Sequence, residues 1–130
     1  MSDMKELCKK FGETLGGEGK AKEGVCAVEI KRNLDVKIMG KPFKSEIKGE
    51  IHFESLDEDG KSLNAAEMAV LEEEVPAYVA ALSKYDLMVS AVHNHWLHAE
   101  PNLLYVHCQS VEPPLDFAEK LAEAIKVLKK

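Results

Sequence analysis

Met4, Leu7, Cys8, Phe11 and Leu15 recur at spacings of 3, 1, 3 and 4, the period of an amphipathic helix, which is expected over residues 3–15 with Ser2 or Asp3 as its cap. Gly16-Gly17-Glu18-Gly19-Lys20 ends that helix. It reads as a flexible connector, because it lacks the spacing of a phosphate loop and follows no strand. Alternation then replaces the helical period. Val25 to Ile30 and Leu34 to Ile38 read as two strands joined at Arg32-Asn33 as a hairpin turn, with Gly40-Lys41-Pro42 breaking the chain after them. Ile47, Gly49, Ile51 and Phe53 alternate with Lys48, Glu50, His52 and Glu54, a third strand with one wet face. Asp57-Glu58-Asp59-Gly60-Lys61 is turn chemistry of the Asp-Gly kind, so the next strand, residues 65–71, returns antiparallel.

Met68, Leu71, Val75, Tyr78 and Leu82 also carry a helical period, but Pro76 decides where a helix can start. Inside a helix it costs about 3 kcal/mol, and in the first turn almost nothing. The helix is therefore expected from about Leu71–Glu73 to Lys84, with Glu72, Glu73 and Glu74 at the positive end of its dipole. Leu87 to His93 and Leu103 to Cys108 are compact apolar runs that read as a buried hairpin, and Leu115 to Leu128 carries a second clean helical stripe. These elements predict an α+β fold: a mainly antiparallel sheet of about six strands with helices packed on it, in the order α-β-β-β-β-α-β-β-α, as one domain over residues 1–130.

Composition narrows the function. The chain has 130 residues with 17 Lys+Arg against 23 Asp+Glu, a formal charge of −6, and basic residues gather only loosely between Lys31 and Lys48. That balance argues against nucleic acid as a partner. The longest apolar run, Ala77 to Leu82, is far short of the ~20 residues that span a bilayer, and the first residues lack the apolar stretch of a secretory signal. Cys8, Cys26 and Cys108 form no CxxC pair, and their odd number suits reduced thiols in the cytoplasm. Cys8 and Cys26 fall at core-like positions.

Candidate chemistry is concentrated in one stretch. Four of the five histidines, His93, His95, His98 and His107, lie within fifteen residues, with Asn94, Glu100, Cys108 and Gln109 among them. Alternation puts His93 and His95 on one face about 7 Å apart, a separation two ligands of one metal can close. His107 joins them when paired residue numbers across the hairpin sum to an even value, as with Val89 opposite His107, and the expectation is a cluster under ~10 Å across. Three readings stand open. His93, His95 and His107 can hold a divalent transition metal such as zinc, with Glu100 or Cys108 as further donors. The histidines can work as acid and base without a metal, beside Asn94, Trp96, Glu100 and Tyr105 as contacts for a small polar ligand. Or they are structural, and the protein is a non-enzymatic interaction module.

The residues His93-Asn94-His95-x-Leu97, Pro101, Tyr105 and His107, followed by a helix, resemble the LppY/LpqO family of uncharacterised domains. Lys31 to Gly40 is similar to that family's Arg-x-Asp-Leu-x-Val-x-Val-x-Gly stretch, Gly49 to Phe53 to its Gly-x-x-x-Phe strand, and Glu72 to Val75 to its acidic helix start. Where the family has a Gly-Glu-Ser-Pro loop and a second histidine past the strand, this chain has His98-Ala99-Glu100-Pro101 and Gln109. The resemblance implies the fold and a recurrent histidine cluster, with no established reaction; hydrolase- or lyase-like chemistry is the expectation from the residues. Family members with two tandem copies imply a homodimer for a single copy, and strand 65–71 is the candidate contact.

Overall fold

The computed structural model describes residues 3–128; Ser2, Lys129 and Lys130 lie outside them. Helix α1 (Met4–Leu15) leads into strands β1 (Gly19–Lys22), β2 (Val25–Lys31), β3 (Val36–Ile38), β4 (Lys41–Phe43), β5 (Lys48–Glu54) and β6 (Ser62–Leu71). A 3-10 turn, Glu72–Glu74, opens helix α2 (Val75–Lys84), and β7 (Met88–Asn94), β8 (Ala99–Glu100), β9 (Leu103–Glu112) and α3 (Pro114–Ile125) complete the chain. The expected α-β-β-β-β-α-β-β-α order holds, with β1, β4 and β8 as additional short strands. Pro76 sits in the first turn of α2, where its missing N–H costs nothing. Asp3 caps α1, its side chain accepting from the Lys5 N–H at 3.0 Å.

Six strands form an antiparallel sheet in the order β1-β2-β5-β6-β9-β7. All three helices cover one face. There Phe11, Phe53, Met68, Tyr78, Phe117 and Leu121 make the main core, and Phe11 meets Phe53 edge-on at 4.8 Å. The other face is roofed at one end only. Strands β4-β3-β8 form a second small sheet, whose Val36, with Leu34, Ile38, Phe43 and Trp96, packs on Ala69, Leu71, Leu103 and Tyr105. The rest of that face carries polar side chains open to solvent. Among the described residues no helix is long and apolar enough to cross a membrane.

Three local expectations are corrected by the tertiary structure. Arg32-Asn33 is not a hairpin turn: β2 pairs with β1 and β5, and β3 belongs to the small sheet. The turn lies earlier, at Glu23-Gly24, whose φ values of 52° and 79° are those of a two-residue turn that follows strand twist. Arg32 instead turns inward to pair with Glu74. The stretch Gly16–Lys20 is not all connector, because Gly19 and Lys20 begin β1. Gly19 is required there by contact: a Cβ would lie 2.1 Å from the Cys8 carbonyl oxygen. Nor are the thiols all reduced, since Cys8 and Cys26 form a disulfide tying α1 to β2. Both are buried core residues, and Cys108 is the free thiol. Strand β6 is also excluded as a surface for a second copy, because it is central in the sheet and Met68, Val70 and Leu71 are buried.

Candidate metal centre

The site lies on the partly roofed face, where β6, β9 and β7 run side by side. Register decides who meets. Glu67 of β6 is paired with His107 of β9, so their side chains rise from the same face as neighbours. On the other side His107 is paired with Ala91 and Tyr105 with His93, which leaves His93 diagonal to His107. The pairing sums are even from Ala91 to Asn94. Past a bulge between Val89 and Ala91 they change, and Val89 faces Cys108. The even register puts the imidazoles of His93 and His107 on one face.

Their ring nitrogens converge. His93 Nε2 lies 2.8 Å from His107 Nε2, a hydrogen bond in which one ring donates and the other accepts. His107 Nε2 is 3.4 Å from Glu67 Oε2. One ligand atom from each of Glu67, His93 and His107 falls within 4.8 Å of the other two, and all three residues are half-buried. Ligands around tetrahedral zinc at ~2.05 Å are separated by about 3.3 Å. A metal would have to part the two imidazoles by some tenths of an ångström, which side-chain rotation supplies. The donor set, two imidazoles and a carboxylate, is that of a zinc-type site with an open fourth position.

A second layer holds His93 in place. Its ring stacks on Tyr105, with centroids 6.3 Å apart and planes 24° apart. Tyr105 is itself fixed by two bonds: its hydroxyl donates to the Glu46 carbonyl at 2.9 Å and accepts from Trp96 Nε1 at 3.1 Å. Burial of the ring pushes the Tyr105 hydroxyl above its ordinary pKa, while the Trp96 hydrogen bond acts against it. Trp96 packs edge-on against Phe43 of the roof at 5.0 Å. Tyr105 and Trp96 therefore brace the site from the second core.

The remaining sequence candidates are distributed around this centre. His95, exposed just past β7, has its ring 6.0 Å from that of His93 and 5.2 Å from that of Tyr105, beside the three-ligand group and outside it. Asn94 accepts from the Trp96 N–H at 3.0 Å and so shapes the loop. Glu100 pairs with Lys37 in the small sheet, and His98 gives its carbonyl to the Met39 N–H. Cys108 faces the main core, where burial pushes its thiol up to about 12. It stays protonated there and is no thiolate donor. Glu67 is the candidate ligand that sequence reasoning missed. It is the one charged side chain in the ten residues of β6, an isolated carboxylate in an otherwise apolar and small strand.

Residues 9–127 match the family model described as Domain of Unknown Function (DUF1259). No curated protein and no solved structure shows significant similarity to the chain.

Proposed function

From the premise that the chain belongs to the DUF1259 family, whose function is unknown, we propose that it binds one divalent transition metal of the zinc class through Glu67, His93 and His107. The observation that carries this is the approach of three donor atoms, from three neighbouring strands, to within 4.8 Å of one another. Three protein ligands leave a fourth position for water or a substrate oxygen, the arrangement of catalytic rather than structural zinc. His95, whose ring lies 6.0 Å from that of His93, is our candidate for moving a proton there. Hydrolase- or lyase-like chemistry is the reaction class this geometry favours. The LppY/LpqO resemblance is part of the same reading.

Metal content of protein purified without an affinity tag tests it. About one equivalent of a transition metal per chain is expected, with His93→Ala/His107→Ala losing it while the circular dichroism and melting curve stay close to the parent, because both histidines lie outside the two cores. Protein that is metal-free and takes up no added Zn²⁺ or Co²⁺ at micromolar concentration would overturn the reading. One observation favours the metal-free alternative: at 2.8 Å the imidazoles already satisfy each other. In that case His93, His107 and Glu67 form a hydrogen-bonded proton relay or a structural clasp.

A homodimer belongs to the proposal, with its contact moved to β7. This edge strand carries no Lys or acidic residue and exposes Met88 and Val92, whereas the opposite edge, β1, bears Lys20 and Lys22. Charged edges block strand addition and uncharged ones invite it. Light scattering should give about twice 14.4 kDa; the monomer mass at micromolar concentration would exclude the dimer.

A further inference from the structure

The small sheet ends in an apolar tip. Strands β3 and β4 are joined by the two-residue turn Met39-Gly40, and the pairing of Ile38 with Ala99 sets the loop before β8 beside that turn. The Met39 N–H donates to the His98 carbonyl at 3.0 Å and ties the two loops together. Met39 and Leu97 are 76% and 75% exposed, the highest values of any large apolar side chain among the described residues. Behind them Trp96, next to Leu97 in the chain, is anchored on Phe43 and on the Tyr105 hydroxyl. The tip is therefore braced from the second core, with its apolar ends in water.

Stability in water gives no reason for these residues. Met39 and Gly40 have φ values of 52° and 80°, a turn whose first place suits Asn or Asp, and a Met there adds backbone strain to exposed apolar surface. His98, with φ of 57°, repeats the strain across the Met39 hydrogen bond. Charge around the tip is of one sign. Residues 36–44 hold Lys37, Lys41 and Lys44, all exposed, and no acidic residue, in a chain of net charge −6. None of these three lysines forms an ion pair among the described residues. Asp35, and Glu100 paired across from Lys37, mark the border of the basic segment.

We propose that this tip docks the protein on an anionic lipid surface, with Met39 and Leu97 entering the headgroup layer and Lys37, Lys41 and Lys44 drawn to the lipid phosphates. The contact is peripheral and spans nothing. Two projecting side chains offer far less apolar area than a stable protein partner needs, about 800 Å² per side. A soft lipid layer admits projecting residues without a complementary surface, and flanking lysines strengthen the attraction. Docking needs no metal. It would orient the candidate centre, because His95 lies in the same loop as Leu97.

Sedimentation with sucrose-loaded vesicles tests the contact. With about 1 mM lipid in ~0.1 M salt, the full chain should pellet with vesicles of phosphatidylcholine containing roughly a third phosphatidylglycerol, and about tenfold less with phosphatidylcholine alone. Met39→Asn/Leu97→Ser should lose about tenfold in affinity for the anionic vesicles. Its melting temperature should stay at or above that of the parent, since Asn suits the turn and both side chains are exposed. Lys37→Gln/Lys41→Gln should lose roughly fivefold per lysine. Equal binding to the two vesicle types, binding to neither, or binding unchanged in Met39→Asn/Leu97→Ser would overturn the lipid contact. So would a dimer in lipid-free solution that the same variant dissolves, which would give the tip to a second copy of the chain.

Discussion

Replacing Arg32 with alanine is expected to destabilise the protein by about 3–5 kcal/mol, a third or more of the stability of an ordinary domain. Arg32 holds Glu74 through both arms of the guanidinium, at 2.6 and 2.9 Å, with the two side chains only 5% and 3% exposed. Nη1 also donates to the Ala69 carbonyl at 3.1 Å, and Glu74 accepts from the Leu71 N–H at 2.8 Å. One ion pair thus joins the end of β2, the end of β6 and the turn into α2. Removing one partner strands a buried charge, whereas removing both does not. Glu74→Ala should therefore cost about as much as Arg32→Ala, and Arg32→Met/Glu74→Leu markedly less than the sum of the singles. What the double variant still loses is the pairing of the Ala69 and Leu71 backbone groups, about 1 kcal/mol each. Urea denaturation of the four proteins reads the cycle. Single-variant losses under ~1 kcal/mol would show that the pair is solvated in solution.

The second large effect is expected from the Cys8–Cys26 disulfide. It closes a loop with a sequence separation of 18, and the chain-entropy argument assigns such a cross-link about 3 kcal/mol. A domain of this length should lose on the order of 10 °C of melting temperature in excess dithiothreitol. Cys8→Ser/Cys26→Ser should behave similarly or worse, because the hydroxyls would enter a core in which both positions are buried. Each would be left next to apolar neighbours such as Phe11 and Val28. Thiol titration of the unfolded protein gives an independent count: one free thiol, Cys108, if the bond forms, and three if it does not. A melting temperature indifferent to reductant would remove the cross-link from the account of stability.

Such a bond forms in an oxidising environment. That runs against the sequence-based expectation of a reducing one, which rested on an odd number of cysteines with no close spacing. The two cysteines are separated by a helix end and a hairpin, and only the docking of α1 on β2 brings their Cα atoms to 5.5 Å. No spacing rule reaches that far along the chain.

Periodicity reported the elements well because it is a local property. The helical stripe of α1, the position of Pro76 and the alternation from Lys48 to Glu54 each need only a neighbour three, four or two residues away. The four-residue β1 and the three-residue β4 fall below that signal: Gly19-Lys20-Ala21-Lys22 and Lys41-Pro42-Phe43 hold one apolar residue each on the face that packs. Their turns were nonetheless legible in principle, at Glu23-Gly24 and Met39-Gly40, each a pair of positive φ values ending in glycine.

The residue types of the two imidazole donors were visible in the chain, but the parity that puts His93 and His107 on one face was set by the register of β7 on β9. What the chain could not reveal was the third donor. Glu67 lies 26 positions before His93 and 40 before His107, and becomes their neighbour only because β9 is inserted between β6 and β7. Strand order depends on how the whole apolar surface is buried, not on any local pattern. The same long-range packing sends Arg32 to Glu74, closes Cys8 on Cys26, and leaves the face over Ala65 unroofed. Amino-acid order alone determined the longer elements and a histidine-rich pair of strands; the tertiary structure decided the short strands, the turn after β1 and which side chains share a centre, because these depend on neighbours the chain meets only after it folds.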